Sequence, residues 1–369
     1  MTTIADVRLH RVTVPLVRPF VTAVRTATQI EALLIEVVDS DGGSGWGEAP
    51  TSWRVTGESP ASVTAAVGGP LRDAVLGMPV DGTADAAAEA SLALDRAVVR
   101  NSAARMAVDC AIYDLAAQTA GLPLHALLGA SSPTVRTDMT LSAIASDDGI
   151  PGLVETAVRH RDAGFGTLKL KVGAGSDDVA AMRAVRDAVG DEVTLRADAN
   201  QAWAPQRAID VIRAWEDAGL AVELVEQPVH RDDLDGLAFV TAHVDTPVLA
   251  DESVWTSRDA REAIARRAAD MVNIKLAKTG GIREALVVLD LAERAGMSAI
   301  VGCMMESHVG IAAASAVAAV VDGRSGYTTA HDLDAGLWLS ESPVLGGIGY
   351  HGETVTMSAE PGLGIRGLH

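Results

Sequence analysis

The most constraining feature of this sequence is a repeat of short β-type runs and amphipathic helices that begins near residue 135. Eight runs recur with starts roughly 25 to 30 residues apart: VRTDMTLS, GTLKLKV, VTLRADA, AVELVEQ, TPVLADE, MVNIKLA, MSAIVGC and GYTTAHD. Helical segments such as DDVAAMRAVRDAVG and APQRAIDVIRAWEDAG separate most of them. Eight β/α units at this spacing need about 200 residues, which favours a parallel α/β barrel over an open sheet.

The segments on either side of the repeat predict a second, α+β unit. Residues 4–48 alternate as strands do, with a hairpin turn at Asp41–Gly43, and helical periodicity follows to about residue 129. The tail has strand and turn signals but no further β/α unit. We therefore predict three parts: an N-terminal domain over residues 1–130, a barrel over 131–340, and a C-terminal segment over 341–369 that returns to the first domain.

Composition excludes several classes of protein. Apolar residues make up 48% of the 369 residues, which is enough for a large core and excludes global disorder. The net charge of -19 repels phosphate backbones and anionic lipids, so we expect no nucleic-acid or membrane partner. Cys110 and Cys303 form no disulfide framework or zinc pattern. The N-terminus lacks a signal-peptide pattern, so we expect a cytoplasmic protein.

Polar residues follow the apolar part of most β-type runs, where a parallel barrel gathers its chemistry. The residues in question are Lys169, Lys171, Asp198, Asn200, Glu226, Asp251, Glu252, Asn273, Lys275, Asp332 and Asp334. A single Asp after a strand is most often a helix cap or a turn residue. Three successive strand ends with carboxylates, flanked by strands with lysines, are harder to explain in this way because buried charges need partners. The set predicts a site for a hard divalent cation such as Mg²⁺, which prefers oxygen ligands.

Five motifs along these strands resemble, in order, those of the enolase superfamily, and specifically its muconate-lactonizing-enzyme subgroup. They are KLK (169–171), DAN (198–200), EQP (226–228), ADES (250–253) and NIKLAKTGG (273–281). The resemblance covers nearly the whole chain, because the N-terminal strands, the GWGEAP turn and the PGLGI tail also match. It implies an α/β fold in which an N-terminal α+β capping domain covers a modified TIM barrel, (β/α)₇β.

The resemblance also implies roles for individual residues. The residues that match the ligands of one Mg²⁺ per subunit are Asp198, Glu226 and Asp251. Lys171 and Lys275 match two acid/base lysines on opposite faces of the substrate, and Lys169 matches the lysine that supports the substrate carboxylate and the enolate. An α-proton beside a carboxylate is weakly acidic, so a cation and an ammonium group must stabilise the enediolate. We expect the same charges to lower the pKa of a lysine base.

Substrate contacts are implied on the remaining strands. Asp332 and Asp334, after the eighth run, resemble the DxD motif with which dipeptide epimerases hold the free ammonium group of their substrate. Alternation predicts both carboxylates on one face, although turn chemistry alone also explains them. The residues that match further substrate contacts are Thr140 and, through main-chain groups, Cys303, Met304 and Met305.

Two capping loops are expected to set the side-chain preference. RPFVTAVRT (18–26) resembles the corresponding loop of L-Ala-D/L-Glu epimerases, with Arg25 where a Glu side-chain carboxylate would bind. The alternative is an ordinary surface arginine. RVTGES (54–59) matches the second loop, and Trp53 and Arg54 are candidate lid residues without assigned contacts.

We therefore interpret the sequence as an Mg²⁺-dependent dipeptide epimerase, a homo-oligomer in muropeptide metabolism with L-Ala-D/L-Glu as its expected substrate. N-acylamino-acid racemase, o-succinylbenzoate synthase and muconate cycloisomerase share the lysines, so the lysines alone do not determine the reaction. The substrates of those enzymes lack a free ammonium group for the two aspartates. A catalytically silent binding protein should have lost a lysine or a metal ligand, and a Schiff-base aldolase would leave the three carboxylates unexplained.

Overall fold

The computed structural model describes residues 2–21, 26–141, 149–174, 177–324 and 329–369. Its two main parts are an antiparallel sheet covered by helices and a barrel-like parallel sheet. This architecture confirms the predicted α/β barrel with a separate α+β domain.

An antiparallel sheet opens the N-terminal domain. Its strands are β1 (Ile4–Val21), β2 (Thr26–Asp39) and β3 (Ser44–Ala49), paired in the order β1-β2-β3. In the turn between β2 and β3, Asp39 Oδ1 accepts hydrogen bonds from the backbone N–H groups of Asp41 and Gly43 at 2.9 and 2.8 Å. The hairpin predicted at this position is confirmed.

A long helix, α4 (Ser102–Ala120), packs against β3 and is buried along most of its length. The helices of this domain are α1 (Pro60–Ala66), α2 (Arg72–Val75), α3 (Ala84–Ala97), α4 (Ser102–Ala120) and α5 (Leu124–Leu127), with a short π-helical segment at Val67–Leu71. Strand and helix approach closely because β3 carries Gly45 and Gly47 at the contact. A Cβ atom on Gly47 would collide with the carbonyl oxygen of Ala107.

Gly47→Ala is therefore expected to destabilise the fold by about 3 kcal/mol, because neither backbone at this contact can move aside cheaply. The free energy of unfolding from denaturant titration measures the effect. Gly349→Ala is the matched control, since Gly349 also lies in a strand but has open space where its Cβ would be. Equal stability of the two variants would contradict the close packing of β3 against α4.

Seven parallel strands form the barrel, in the order β11-β10-β9-β8-β7-β6-β5. They are β5 (Met139–Leu141), β6 (Thr167–Lys171), β7 (Thr194–Asp198), β8 (Val222–Glu226), β9 (Val248–Ala250), β10 (Met271–Lys275) and β11 (Ser298–Gly302). The gap between β11 and β5 is closed by parallel bridges from His331 to Thr137 and from Asp332 to Gly302. We refer to residues 331–332 as the closing segment.

Two of the eight predicted runs differ from the structure. The first run is divided: β4 (Thr134–Arg136) pairs antiparallel with a strand of the tail, and only Met139–Leu141 joins the barrel. The eighth run, predicted at 326–332, is reduced among the described residues to the two bridges of the closing segment. Both differences arise where the barrel closes between β11 and β5, which we call the barrel seam. Neighbouring strands at this seam come from distant parts of the chain.

Helices surround the barrel between its strands, as the repeat predicted. They are α6 (Gly149–Asp162), α7 (Asp178–Val189), α8 (Pro205–Asp217), α9 (Leu234–Thr241), α10 (Ser257–Arg266), α11 (Leu276–Thr279), α12 (Ile282–Ala295) and α13 (His308–Arg324), and a 3₁₀ turn covers Asp334–Trp338. In the described part of the chain, no helix combines the length and apolar character needed to cross a membrane.

Buried carboxylates of the N-terminal domain bind the N-termini of two barrel helices. Glu48, on β3, accepts hydrogen bonds from the backbone N–H groups of Ser307 and Gly310 at the start of α13. Asp109, on α4, accepts one at 2.6 Å from Ile282, the first residue of α12. Helix N-termini favour negative charge, so these contacts hold the N-terminal domain against the barrel.

The C-terminal tail contacts both parts of the molecule. Its strands are β12 (Val344–Gly346), β13 (Gly349–His351), β14 (Thr354–Thr356) and β15 (Ile365–Leu368). β13 and β14 extend the small sheet that contains β4, and β12 pairs with β15. Asp114 of α4 accepts hydrogen bonds from the backbone of Trp46 and of Leu363, which joins β3 and the tail to the same helix.

Candidate active site

The register of the barrel strands brings the predicted site residues to one level. Lys171 lies beside Asp198, and Asp198 beside Glu226, in the β6-β7-β8 ladders. On the other side of the ring, Gly302 is paired with both Lys275 and Asp332. All of these residues lie at the C-terminal ends of parallel strands, the rim where barrel enzymes carry their catalytic groups.

Lys171 and Lys275 stand on opposite sides of this rim. Seven strands and the closing segment make a ring of eight positions, and β6 and β10 are four positions apart. The lysines divide the rim into two arcs. We call the ends of β7, β8 and β9 the β8 side, and the ends of β11 and β5 with residues 331–334 between them the DLD side.

The three predicted metal ligands occupy the β8 side, and all are buried. Asp198 bonds Lys171, and Asp251 Oδ2 lies 2.7 Å from Lys275 Nζ. Glu226 Oε1 accepts a 2.8 Å hydrogen bond from Asn273 Nδ2. In this structure the lysines therefore compensate the charge of two of the carboxylates. The oxygens of the three predicted ligands lie less close together than those of a second acidic group, which consists of Asp138, Asp332 and Asp334.

Glu226 offers the clearest sign of a cation-binding position. Its side chain is fully buried, and Oε2 has no hydrogen-bond donor among the described residues, with Lys169 Nζ at 3.7 Å. Burial, with the charge of Asp198 adding to it, raises the pKa of Glu226 to about 8. A buried carboxylate without full compensation fits a divalent cation, and the neighbouring carboxylates supply further oxygen ligands.

Neighbouring carboxylates determine the direction of the pKa shift of both predicted base lysines. Burial alone would lower the pKa of Lys171 and of Lys275, but their carboxylate neighbours more than offset it. Asp198 raises the pKa of Lys171, and Asp251 raises that of Lys275 well above its usual range. The predicted lowering depends on a bound cation and stays a prediction, because the oxygens predicted to bind that cation contact the lysines here.

Two residues that hold Asp251 were missed by the sequence analysis. The buried Lys278 places its Nζ 2.7 Å from Asp251 Oδ1 and donates to the carbonyl oxygens of Asp251 and Asn273. Gln227 Oε1 accepts a hydrogen bond from the Asp251 backbone N–H at 3.0 Å. The signal for Lys278 was its position three residues after Lys275, on the same face of the turn that follows β10.

The DLD side contains the predicted substrate residues. Asp332 Oδ2 lies 2.6 Å from Lys169 Nζ, and Asp334 Oδ2 accepts a 2.6 Å hydrogen bond from the Thr140 backbone N–H. Cys303 is buried and Met304 and Met305 are half-buried directly after β11. The Met304 N–H donates to Glu306 Oε1 at 2.8 Å, so this main-chain donor already has an acceptor.

A third buried carboxylate joins the two predicted aspartates. Asp138, Asp332 and Asp334 each offer an oxygen within 4.8 Å of the others, a group that could hold a cation. Asp138 in turn forms a 2.9 Å ion pair with the fully buried Arg196, which also forms an ion pair with Glu223. The sequence analysis missed Asp138, although it lies two residues before Thr140 and alternation turns both to one face.

Part of the first capping loop and the candidate lid residues of the second differ in what the structure describes of them. Arg25 lies outside the described residues. Trp53 is 73% exposed, and Arg54 is exposed as well. The role of these two residues as lid residues stays a prediction.

Both parts of the chain match family models. Residues 4–129 match the N-terminal domain of the mandelate racemase / muconate lactonizing enzyme family, and residues 152–367 match the enolase C-terminal domain-like family. The two matches together cover most of the 369 residues.

Characterised relatives match over almost their whole length. The L-Ala-D/L-Glu epimerase of Bacillus subtilis (strain 168) is 42% identical over 367 residues, which are 99% of this chain and 97% of that protein. The solved substrate-liganded complex of the Bacillus subtilis enzyme superposes with a TM-score of 0.93 at 41% identity, covering 100% and 99% of the two chains. The dipeptide epimerase of Enterococcus faecalis V583, solved with Mg and L-Leu-L-Tyr, superposes with a TM-score of 0.90 at 36% identity and complete coverage of both chains.

Proposed function

The chain belongs to the mandelate racemase / muconate lactonizing enzyme family of the enolase superfamily and is an isomerase, and from this premise we propose that it epimerises dipeptides. The proposed reaction inverts the α-carbon of the C-terminal residue. L-Ala-L-Glu and L-Ala-D-Glu are the proposed substrates.

The opposition of Lys171 and Lys275 is the observation that carries this proposal. A planar enediolate held between the two sides of the rim would have one lysine at each face. The neutral amine of one lysine would take the α-proton, and the ammonium group of the other would deliver a proton to the opposite face. Removal on one face and delivery on the other is what inversion at carbon requires.

We propose that Asp198, Glu226 and Asp251 hold one Mg²⁺. The uncompensated oxygen of the buried Glu226, and the Mg in the similar Enterococcus faecalis structure, support this assignment. The bound ion would supply positive charge that stabilises the enediolate. Lys169, whose Nζ lies between Asp332 and Glu226, would add an ammonium group from the chain itself.

The two sides of the rim suit the two ends of a dipeptide. We propose that the substrate carboxylate faces the β8 side and that the ammonium group binds Asp332 and Asp334 on the DLD side. The peptide unit would lie along Thr140 and residues 303–305. N-acylated amino acids, by contrast, would bring no cation to this pair, and the buried Asp334, which accepts a hydrogen bond from a backbone N–H, would remain without one, which is costly.

A dipeptide library in D₂O with Mg²⁺ tests the proposed function. We expect deuterium at the α-carbon of the C-terminal residue of L-Ala-L-Glu, together with the appearance of L-Ala-D-Glu. Mass spectrometry and chiral chromatography measure the two events. Exchange in N-acetyl or N-succinyl amino acids and none in free dipeptides would assign the protein to the racemase branch instead.

The preference for Glu rests on Arg25. Its support is the resemblance of the RPFVTAVRT loop to that of L-Ala-D/L-Glu epimerases. Relatives differ in the dipeptide they bind, since the Enterococcus faecalis enzyme was solved with L-Leu-L-Tyr. A Glu side chain enclosed by the loop needs its own cationic partner, because its charge would otherwise be buried without compensation.

Arg25→Met is therefore expected to lower kcat/KM for L-Ala-L-Glu by roughly 10²-fold, equivalent to about 3 kcal/mol. L-Ala-L-Met, which carries no side-chain charge, should lose far less. Steady-state kinetics of both substrates with both proteins give four values from which general damage to the loop cancels. Equal losses would make Arg25 a structural loop residue and leave the Glu preference unsupported.

We further propose that the chain divides at residues 130 and 340. By resemblance, we also propose that the protein is a cytoplasmic homo-oligomer that acts in muropeptide metabolism. The first boundary follows α5 and precedes β4. The bond from Leu363 to Asp114 supports a tail that returns to the N-terminal domain.

A further inference from the structure

Each of the three clustered carboxylates uses one oxygen for a donor of the protein. Asp138 Oδ2 accepts from Arg196 Nη1 at 2.9 Å. Asp332 Oδ2 pairs with Lys169 Nζ at 2.6 Å, and Asp334 Oδ2 accepts from the Thr140 N–H at 2.6 Å. Their ligand oxygens lie within 4.8 Å of one another.

The second oxygen of two of these carboxylates has no donor. Oδ1 of Asp138 and Oδ1 of Asp334 are buried and make no hydrogen bond to any residue that the structure describes. Both side chains are almost completely enclosed, with exposures of 0% and 1%. Buried acceptors without donors are rare in folded proteins and indicate a place for a ligand.

The charges of the cluster also do not balance. Three carboxylates face the two cations Lys169 and Arg196, and Arg196 is shared with Glu223. Burial raises the pKa of Asp138 to about 6 and that of Asp334 to about 7. Asp332 differs: despite its burial, the ammonium group of Lys169 holds its pKa below the usual value. The negative charge is therefore least well compensated at the two carboxylates with orphan oxygens.

We infer that Asp138 is a third acceptor for the substrate ammonium group and makes the site selective for a primary amine. This inference rests on the proposed dipeptide substrate. An ammonium group has three N–H donors, and Asp138, Asp332 and Asp334 offer it three acceptors. The site would thus distinguish substrates by the number of N–H donors on their nitrogen as well as by its charge.

An organic ammonium ion fits the cluster better than a divalent metal ion. Lys169 Nζ already lies at Asp332, and the Arg196 guanidinium at Asp138. Each of these cations occupies one carboxylate oxygen, so fewer anionic oxygens remain as ligands for a divalent ion. Binding of a second metal ion is therefore the competing outcome in the test.

Asp138→Asn separates the direct role from a structural one. The amide of the variant has one oxygen, and Arg196 Nη1 requires an acceptor, so the NH₂ group would face the substrate nitrogen. Two donors would then oppose each other. Glu223→Gln is the matched control, because Glu223 bonds the same guanidinium at 2.6 Å but stands outside the cluster.

The dissociation constants of L-Ala-Gly and N-acetyl-L-Ala-Gly, measured by calorimetry with Mg²⁺, supply the readout. Neither ligand has a stereocentre at its C-terminal residue, so epimerisation does not change it. We expect Asp138→Asn to weaken L-Ala-Gly roughly 10- to 100-fold and to leave the N-acetyl ligand within about threefold. Glu223→Gln should change both ligands little.

Equal weakening of both ligands, or an equal loss in Glu223→Gln, would overturn the inference. With Mn²⁺ as the metal probe, binding of a second ion per wild-type chain that is lost in Asp138→Asn would also overturn the inference. N-methyl-L-Ala-Gly tests wild-type protein directly: with one donor fewer it should bind several-fold more weakly than L-Ala-Gly, and equal affinity would refute the third acceptor. Absence of wild-type epimerisation would instead refute the proposed function.

Discussion

Lys171→Ala and Lys275→Ala are each expected to lower kcat for epimerisation by about 10³-fold or more, because each variant lacks the proton donor or acceptor on one face of the intermediate. The expectation follows from the four-position separation of β6 and β10 around the rim. ¹H NMR in D₂O, started from each epimer separately, measures epimerisation and α-proton exchange in one experiment.

The two variants serve as controls for each other. Exchange of the α-proton needs only one base, so each variant should still exchange one epimer, and the two should retain opposite epimers. Loss of the fold would remove both activities together and would be visible in the melting temperature. Interconversion of both epimers at near wild-type rate by either variant would contradict the two-base mechanism.

The polar residues at the ends of β6, β7 and β8 were predictable because their signals are local. Lys169 and Lys171 are two residues apart in an apolar run, and period-2 alternation puts them on one face. Asp198 and Glu226 each follow a short apolar run of the same kind. Parallel strands in a barrel end at one rim, so order along the chain becomes order around the site.

The barrel seam was not predictable in this way. Residues 134–136 and 139–141 form one β-type run, yet they join different sheets because β14, about 220 residues later, pairs with the first three. The closing segment forms bridges instead of a regular strand for a similar reason: its neighbours on both sides are backbone distant in sequence.

The ion-pair partners of the buried charged residues were also not predictable from the sequence. Asp138 lies in a run that predicted a strand with one polar contact, Thr140, while its partner Arg196 lies 58 residues away. Likewise, the raised lysine pKa values depend on contacts with Asp198 and Asp251 that only the folded barrel brings together. Pairings of charges depend on three-dimensional distance, and a list of strand ends does not contain it.

Asp251 is the metal-ligand candidate whose carboxylate contacts two lysines. Its carboxylate lies 2.7 Å from both Lys275 and Lys278, and Gln227 holds its backbone. Asp251→Asn preserves the shape of the side chain but removes the charge that these neighbours and the proposed Mg²⁺ share. Direct titration of Mg²⁺ separates loss of the ion from the accompanying change at Lys275.

We expect Asp251→Asn to weaken Mg²⁺ binding by roughly 10²-fold and to lower kcat/KM for L-Ala-L-Glu by about 10³-fold, because one anionic ligand of a hard cation becomes a neutral amide. Glu252→Gln is the matched control. Glu252 is the adjacent carboxylate, it is not one of the proposed ligands, and burial raises its pKa to about 7. Its Mg²⁺ affinity should fall far less. A larger loss in Glu252→Gln than in Asp251→Asn would show that the ligand assignment at β9 is wrong, and full activity after exhaustive chelation would contradict the metal-assisted reaction itself.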